Sequence, residues 1–515
     1  QLAPQPLPCP VPEQLEQPLE QIQNELPENL CGLQREWTAR RLLEPEPELH
    51  EKIAAHGNIS LEIPALSDAL EQTWKQYSPE VCADAMIAAI VRHSEALAAQ
   101  TVHQPEQTDA ADRRLDRILA GKWGIPVMLL LLGLVLWLTI VGANYPSAWL
   151  SAGFSHLQGW LSLLLETIHT PHWLHSLLID GIYNVLTCVI AVMLPPMAIF
   201  FPLFTLLEDF GYLPRVAFVL DHAFQRAKAC GKQALTMCMG FGCNAAGVTA
   251  CRIIESPRER LIAILTNCFV PCNGRFPTLI LLSGFFFARG NPIAAGGFVF
   301  LLIVLAVGIT LAVSFLLSKT ILRGVPSAFV LELPPYRRPK LWDVIVRSML
   351  DRTIFVLARA VTVAIPAGAV IWLCQNIMVN GHTLLYGMAA LLEPLGALMG
   401  LSGVILMAFL LGIPANEIVI PILLMVYSQS GTLVEAEGIA QAGAILAANG
   451  WTWVTAVCVI LFSLNHFPCA TTLLTIRKET GSLLWTGVSF FLPTVVGVLL
   501  CIAVHLLALL VGIFF

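Results

Sequence analysis

Four short stretches of this chain set cation-binding side chains beside helix-breaking residues: "GFGCNAAG" (240–247), "FVPCNGRFP" (269–277), "GIPANEIVIP" (412–421) and "LNHFPCATT" (464–472). The donors are Cys243, Asn244, Cys272, Asn273, Asn416, Glu417, Asn465, His466 and Cys469. Hard cations take oxygen ligands. Thiolate and imidazole donors favour a transition metal such as Fe(II), Zn(II) or Cu(I). Pro271-Cys272 and Pro468-Cys469 repeat one dipeptide far apart in sequence, so only the fold can bring the pair together. Taken singly, these residues have plainer readings. A lone Cys in an apolar run packs as a small hydrophobe, which is the reading for Cys188, Cys374, Cys458 and Cys501. A lone Asn or His makes an interhelical hydrogen bond. Glu417 has a salt-bridge candidate in Arg275. Taken together, the four breaks point to a metal or transport pathway built from Cys272, Cys469, Glu417, Cys243, Asn244, Asn416 and His466, because polar groups at membrane depth are costly and mark function.

The elements that carry these stretches are apolar. Charged residues make up 12% of the 515-residue chain, about half the usual share in soluble proteins, and hydrophobic residues make up 56%. Runs of about 20 apolar residues are candidate spans, and they occur near 124–143, 182–207, 261–287, 293–318, 353–376, 450–472 and 482–515. Two more, 233–250 and 400–427, are interrupted by Gly, Pro, Asn or Cys. Residues 150–168 read as an interfacial helix flanked by tryptophans. Residues 206–224 read as an amphipathic helix with a solvated charged face.

Basic residues orient the spans. Lys319, Arg323, Arg337, Arg338, Lys340, Arg347 and Arg352 place 319–352 in the cytoplasm, while 144–178 has no Lys or Arg and belongs outside. Both flanks of 233–250 are basic and both flanks of 400–427 are not, so the two broken segments enter from opposite faces. That is the pattern of an inverted-repeat transporter. The expected fold is an all-α polytopic membrane protein. It has about seven transmembrane helices plus two re-entrant, broken segments in two inverted repeats, behind a small N-terminal soluble helical domain.

The N-terminal part differs in charge. Residues 1–122 hold 20 acids against 10 bases, a net of −10, and the remainder carries +4. Neither part suggests nucleic-acid binding. Residues 1–28 read as a Pro- and Gln-rich tail and 29–122 as the helical domain, with Ser78 capping a helix over 78–100. The other expected segments are 123–180 (first span and interfacial helix), 181–320 (first repeat), 321–352 (basic loop), 353–476 (second repeat) and 477–515 (last span). The first 120 residues hold no secretory signal, and a chain starting with Gln rather than Met points to a fragment or a processed product. "KACGKQ" (228–233) fails as a phosphate loop, because Arg226 and Gln233 stand where Gly and Ser or Thr are needed.

At "LLEDFGYLPRVAFVLD", "GFGCNAAGVTACRIIESPRERL", "FVPCNGRFP", "LLGIPANEIVIP" and "FSLNHFPCATTLLTIRKETGS" the chain resembles the membrane part of the FeoB ferrous iron transporter family, with two Gate-type halves. "LPENLCGLQREWTARRLLE" resembles that family's helical domain. The resemblance implies Fe(II) import across the bacterial inner membrane, with Cys243, Asn244, Cys272, Glu417 and Cys469 falling in the family's motifs. It implies a cytoplasmic helical domain, transport rather than enzyme catalysis, and a bilayer partner. It also implies a small FeoA-like accessory protein and a homo-oligomer. GTP and Mg(II) would act only through a GTPase domain in cis or trans, whose motifs these 515 residues lack. Two rivals are a nucleoside or other organic solute carrier, since Gate-type halves resemble nucleoside transporters, and a non-transporting metal- or redox-sensing scaffold.

Overall fold

Lipid offers no hydrogen bonds, so apolar runs fold as helices that satisfy their own backbones, and the protein is helical almost throughout. The computed structural model describes residues 10–27, 30–44, 47–57, 64–101, 116, 117, 119, 121, 124–322, 340–379, 381–428 and 439–512. Arg323, Arg337 and Arg338 of the basic loop lie outside the described residues. The chain divides into two units, Gln1–Ala111 and Asp112–Phe515.

The first unit is a helical domain of α1 (Glu16–Glu25), α2 (Arg35–Leu42), α3 (Pro47–Gly57), α4 (Pro64–Gln76) and α5 (Pro79–Thr101). Residues 13–26, expected as tail, are instead part of it. Leu15, Leu19, Ile22 and Leu26 recur at helical spacing and are buried with Leu42, Leu66 and Leu70. Each such side chain contributes about 1.5–3 kcal/mol by leaving water, enough to outweigh the Pro- and Gln-rich composition around it. The Ser78 hydroxyl accepts from the Val81 amide at the start of α5, as expected. Cys82 is buried on α5, and burial pushes its thiol above its ordinary value. Cys82 is therefore expected to alkylate at least about tenfold more slowly than exposed Cys31 at neutral pH. Peptide mass mapping checks this: the rates should converge in denaturant, and equal rates in buffer would mean that α5 does not pack as described.

Among the described residues of the second unit, five helical segments are long and apolar enough to cross a membrane: His172–Asp209, Ala294–Lys319, Val356–Asn376, Trp453–Thr480 and Leu483–Leu510. A pair bent by 114°, Leu384–Leu398 with Gly403–Leu411, makes six if counted as one span. The differences from the expected spans have physical causes. Residues 124–143 and 150–168 form one helix, α6 (Gly124–Thr167), of 44 residues. Pro146 removes one amide without ending it. At 1.5 Å per residue α6 is about 66 Å long, over twice the hydrocarbon thickness of about 30 Å. Its distal half is tied down by Tyr183 Oη donating to Phe154 O (2.8 Å) and by a Ser162 Oγ–His175 Nε2 contact (2.8 Å). The stretch 261–287, long and apolar enough to count as a span, is interrupted at the break expected over 269–277, between α11 (Pro257–Thr266) and α12 (Phe276–Leu282), where Pro271 has no amide to donate.

The order after α6 is α7 (Asn184–Asp209), the amphipathic α8 (Tyr212–Arg226), α9 (Lys232–Gly242), α10 (Asn244–Ala250), α11, α12 and α13 (Pro292–Lys319). Then come α14 (Phe355–Asn376), a two-stranded antiparallel hairpin pairing Met378 with Thr383, α15 (Leu384–Leu398), α16 (Gly403–Leu411), α17 (Val419–Ser428), α18 (Ile439–Ala448), α19 (Trp453–Asn465), α20 (Ala470–Thr480) and α21 (Leu483–Leu510). Side-chain caps start several of them: Ser256, Ser402, Thr452 and Ser482 accept from amides three residues on.

The chain repeats itself. A π-helical turn, Leu177–Tyr183, leads into α7, and another, Ser348–Ile354, leads into α14. Each lead helix then carries a proline eleven residues past its start, Pro195 and Pro366. The lead elements touch backbone to backbone: a Cβ on Gly368 would stand 2.7 Å from Gly181 O. Small residues permit such close crossing in membranes. Later in each half come two broken helices, α9/α10 and α11/α12 in the first, α16/α17 and α19/α20 in the second.

Candidate metal pathway at the four helix breaks

Each break is made by residues that stop a helix and restart it. In the first, α9 ends at Gly242 and Cys243 is extended (φ −155°, ψ 124°) before α10 begins at Asn244. A Cβ at Gly240 would stand 2.6 Å from Asn267 Oδ1, so glycine is what lets the second break approach the first. The second runs from a 3-10 turn, Asn267–Phe269, through Pro271 and Cys272 to another, Asn273–Arg275. In the third, α16 gives way at Gly412, Ala415 is extended (φ −154°, ψ 119°), and Asn416–Ile418 forms a 3-10 turn before α17. The fourth lies between α19 and α20, where His466 and Cys469 are both extended.

The four breaks are stitched together at the centre. Asn267 Nδ2 donates to Asn244 O (3.0 Å), joining the first two. The Asn244 amide, oriented to donate, reaches Gly240 O and Val270 O, both at 3.1 Å, so it braces the same pair. Ala470 N donates to Ile413 O (2.8 Å), joining the last two. Arg275, 1% exposed, joins the halves: Nη1 donates to Cys268 O (3.1 Å) and Leu464 O (2.8 Å), and Nη2 to His466 O (3.0 Å). The salt bridge between Arg275 and Glu417 weighed from sequence is not among the ion pairs of the described residues.

Cys243, Cys272 and Cys469, from three different breaks, lie within electrostatic range of one another, with Glu417 in range of Cys469. Cys469 Sγ also sits 3.3 Å from Thr472 Oγ1. Glu417 is 6% exposed and its Oε1 has no hydrogen-bond partner. Its Oε2 lies over Gly274, where a Cβ would stand 2.7 Å away. His466 Nδ1 faces two acceptors, Ser463 O (2.9 Å) and Phe462 O (3.2 Å), so it carries the proton. Nε2 then holds the lone pair, and the Asn416 side-chain amide, whose Oδ1 position lies 3.3 Å away, pairs with it when its NH2 is turned toward the ring. That tautomer, with one ring N–H on a carbonyl, is how ligating histidines are held. Among the described residues no three His, Cys, Asp or Glu side chains converge tightly enough to hold one ion. The arrangement is a set of neighbouring donors rather than a formed cage.

Sequence reasoning missed Asn267 and Cys268. Both were legible in the internal repeat, since Asn267-Cys268-Phe269-Val270-Pro271-Cys272 matches Asn465-His466-Phe467-Pro468-Cys469 with one residue inserted. Asn267 and Asn465 each keep a buried Oδ1 without a partner.

Fold and site define a multi-pass α-helical membrane protein built from two Gate halves. The Gate family model, described as nucleoside recognition, matches residues 190–286 and 357–483. The model of the ferrous iron transport protein B C terminus matches 299–352, and the FeoB cytosolic helical domain matches 12–103. The chain belongs to the FeoB family. It is 30% identical over 404 residues to the Fe(2+) transporter FeoB of Staphylococcus aureus strain MSSA476, covering 74% of this chain and 57% of that protein. It is 29% identical over 347 residues to the Fe(2+) transporter FeoB of Methanocaldococcus jannaschii, covering 64% and 49%. It is 28% identical over 421 residues to a Porphyromonas gingivalis Fe(2+) transport protein A/Fe(2+) transporter FeoB fusion protein, covering 72% and 48%. The chain thus spans about half the length of these relatives. No solved structure matches it.

Proposed function

We propose that this chain is the metal-conducting membrane part of a ferrous iron transporter of the bacterial inner membrane. The observation that carries the reading is the approach of Cys243, Cys272 and Cys469 to one another from three breaks, with buried Glu417 in range of Cys469. Sulfur, imidazole and carboxylate donors suit a first-row transition metal and not Na(I) or Mg(II). Fe(II) among those metals is supported by the printed names of the relatives. Fe(II) enters partly hydrated and exchanges water for thiolate, carboxylate and the His466 Nε2 lone pair in turn. Donors that do not close on one ion bind it weakly enough to release it. Asn244 and Asn416 serve as supports for these donors, Asn244 through the carbonyls it holds.

The N-terminal helical domain is read as cytoplasmic, relaying the state of a GTPase supplied in cis or in trans, which would bring GTP and Mg(II). The fusion relative supports a small partner of the Fe(2+) transport protein A kind. A nucleoside carrier is the second reading, favoured by the description of the Gate model. The test is anaerobic Fe(II) entry into proteoliposomes holding this chain, beside a Cys272→Ala/Cys469→Ala variant. The expected result is entry by the wild type and a loss of about tenfold or more in the variant, with Mg(II) excluded by both. Uridine entry that ignores both substitutions, without iron entry, would replace this reading with the nucleoside one.

A further inference from the structure

Past the thiols the two halves are joined once more, by an ion pair remote from the four breaks. Cys243 leads into α10 and Cys469 into α20, and the two helices pack against each other. Arg252 lies nine residues past Cys243, in the 3-10 turn that follows α10, and Glu479 lies ten residues past Cys469, in the last turn of α20. At 1.5 Å per residue both runs are about 13–15 Å long, so the seam that starts at the thiols ends at this pair. The pair is a two-pronged fork: Arg252 Nε donates to Glu479 Oε2 (2.8 Å) and Nη2 to Oε1 (2.7 Å). Two parallel charge-assisted bonds fix geometry as well as contact. Between thiols and fork the seam is packed dry. Val248, Cys251 and Ile476 are buried in one apolar cluster, and Thr472 and Thr475 of α20 are buried too. The Thr475 hydroxyl accepts from Arg359 Nη1 (2.9 Å), which braces α20 against α14. Arg252, Arg258, Arg260, Arg477 and Lys478 crowd the fork's end of the two runs, an excess that marks the cytoplasmic face.

We propose that the Arg252–Glu479 fork is the inner latch of the pathway: it holds α10 against α20 beyond the thiols and parts when a cation leaves toward the cytoplasm. The inference rests on the transport reading above and adds where the pathway is shut. The Arg252 side chain is 59% exposed and that of Glu479 11%. A pair that water reaches on one side is weak enough to open, while its two-pronged geometry restores the same closed seam each time. Arg275, the joint at the centre, is buried instead.

The test reads the seam without iron. Inverted membrane vesicles holding the full chain are treated with a membrane-impermeant thiol reagent, which meets the cytoplasmic face, and peptide mass mapping follows Cys243 and Cys469. Glu479→Gln and Arg252→Glu are each expected to label about two- to fivefold faster than the wild type at both thiols. The exchanged pair, Arg252→Glu/Glu479→Arg, should return toward the wild-type rate, which a separate structural role for either residue would not give. Cys458 and Cys501, buried between α19 and α21, are the control for a loosened fold. Unchanged labelling of Cys243 and Cys469, acceleration that the exchange does not reverse, or equal acceleration at Cys458 and Cys501 each overturns the proposal. Fe(II) entry into proteoliposomes separates the two readings: a chain that carries no iron but labels as described counts against transport and leaves the latch standing as a closure between the halves.

Discussion

Arg275→Leu is expected to leave little folded protein in the membrane. The reason lies in which amides the breaks lack. The helical partner of Leu464 O would be the amide of residue 468, which is proline. The residue three on from Cys268 is Pro271, also without an amide. The amide of Ala470, which would serve His466 O, goes to Ile413 O instead. Arg275 supplies the missing donors to all three carbonyls from one fork. A hydrogen bond to a charged group is worth about 1.5–3 kcal/mol, so losing three approaches the whole stability of a typical domain, about 5–15 kcal/mol. Leucine saves the cost of burying the guanidinium but brings no donor. Arg275→Lys keeps the charge and loses the fork, and should fall between. Heat-induced loss of the monodisperse peak in detergent measures the series. A leucine variant that survives to within a few degrees of the wild type would mean that other groups satisfy those carbonyls.

Glu417→Gln is expected to move two readouts apart, with Fe(II) entry falling about 100-fold while heat resistance holds or rises. An unpaired buried carboxylate costs several kcal/mol, and Glu417 has one oxygen with no partner. An amide of the same shape is cheaper to bury, so the fold should not suffer. The cation loses a carboxylate within electrostatic range of the Cys469 thiol. Entry at the wild-type rate would remove Glu417 from the pathway, and parallel loss of entry and heat resistance would make it a structural residue.

The four breaks were legible because Pro and Gly announce themselves inside apolar runs. What they do for one another was not. Arg275 bonds to backbone carbonyls almost 200 residues away, and carbonyls leave no trace in residue identity, so the charge read naturally as a partner for Glu417. The stretch 261–287 counts as a span by its mean apolarity, which does not show how far the break at Pro271 separates the two helices. The first helix of the N-terminal domain was overlooked for the opposite reason. Leu15, Leu19, Ile22 and Leu26 keep helical period, but the Pro, Gln and Glu between them dominate the composition. The approach of Cys243 to Cys272 and Cys469 depends on packing of elements remote in sequence, which no local pattern reports.

Of the three π turns among the described residues, the two that lead the halves, Leu177–Tyr183 and Ser348–Ile354, have a historical meaning. A π turn arises when one residue is inserted into an α-helix without breaking it, and such turns persist mainly where function uses them. Two insertions at equivalent places, each followed at the same interval by a proline, are more simply inherited than invented twice. The insertion then predates the duplication that produced the halves.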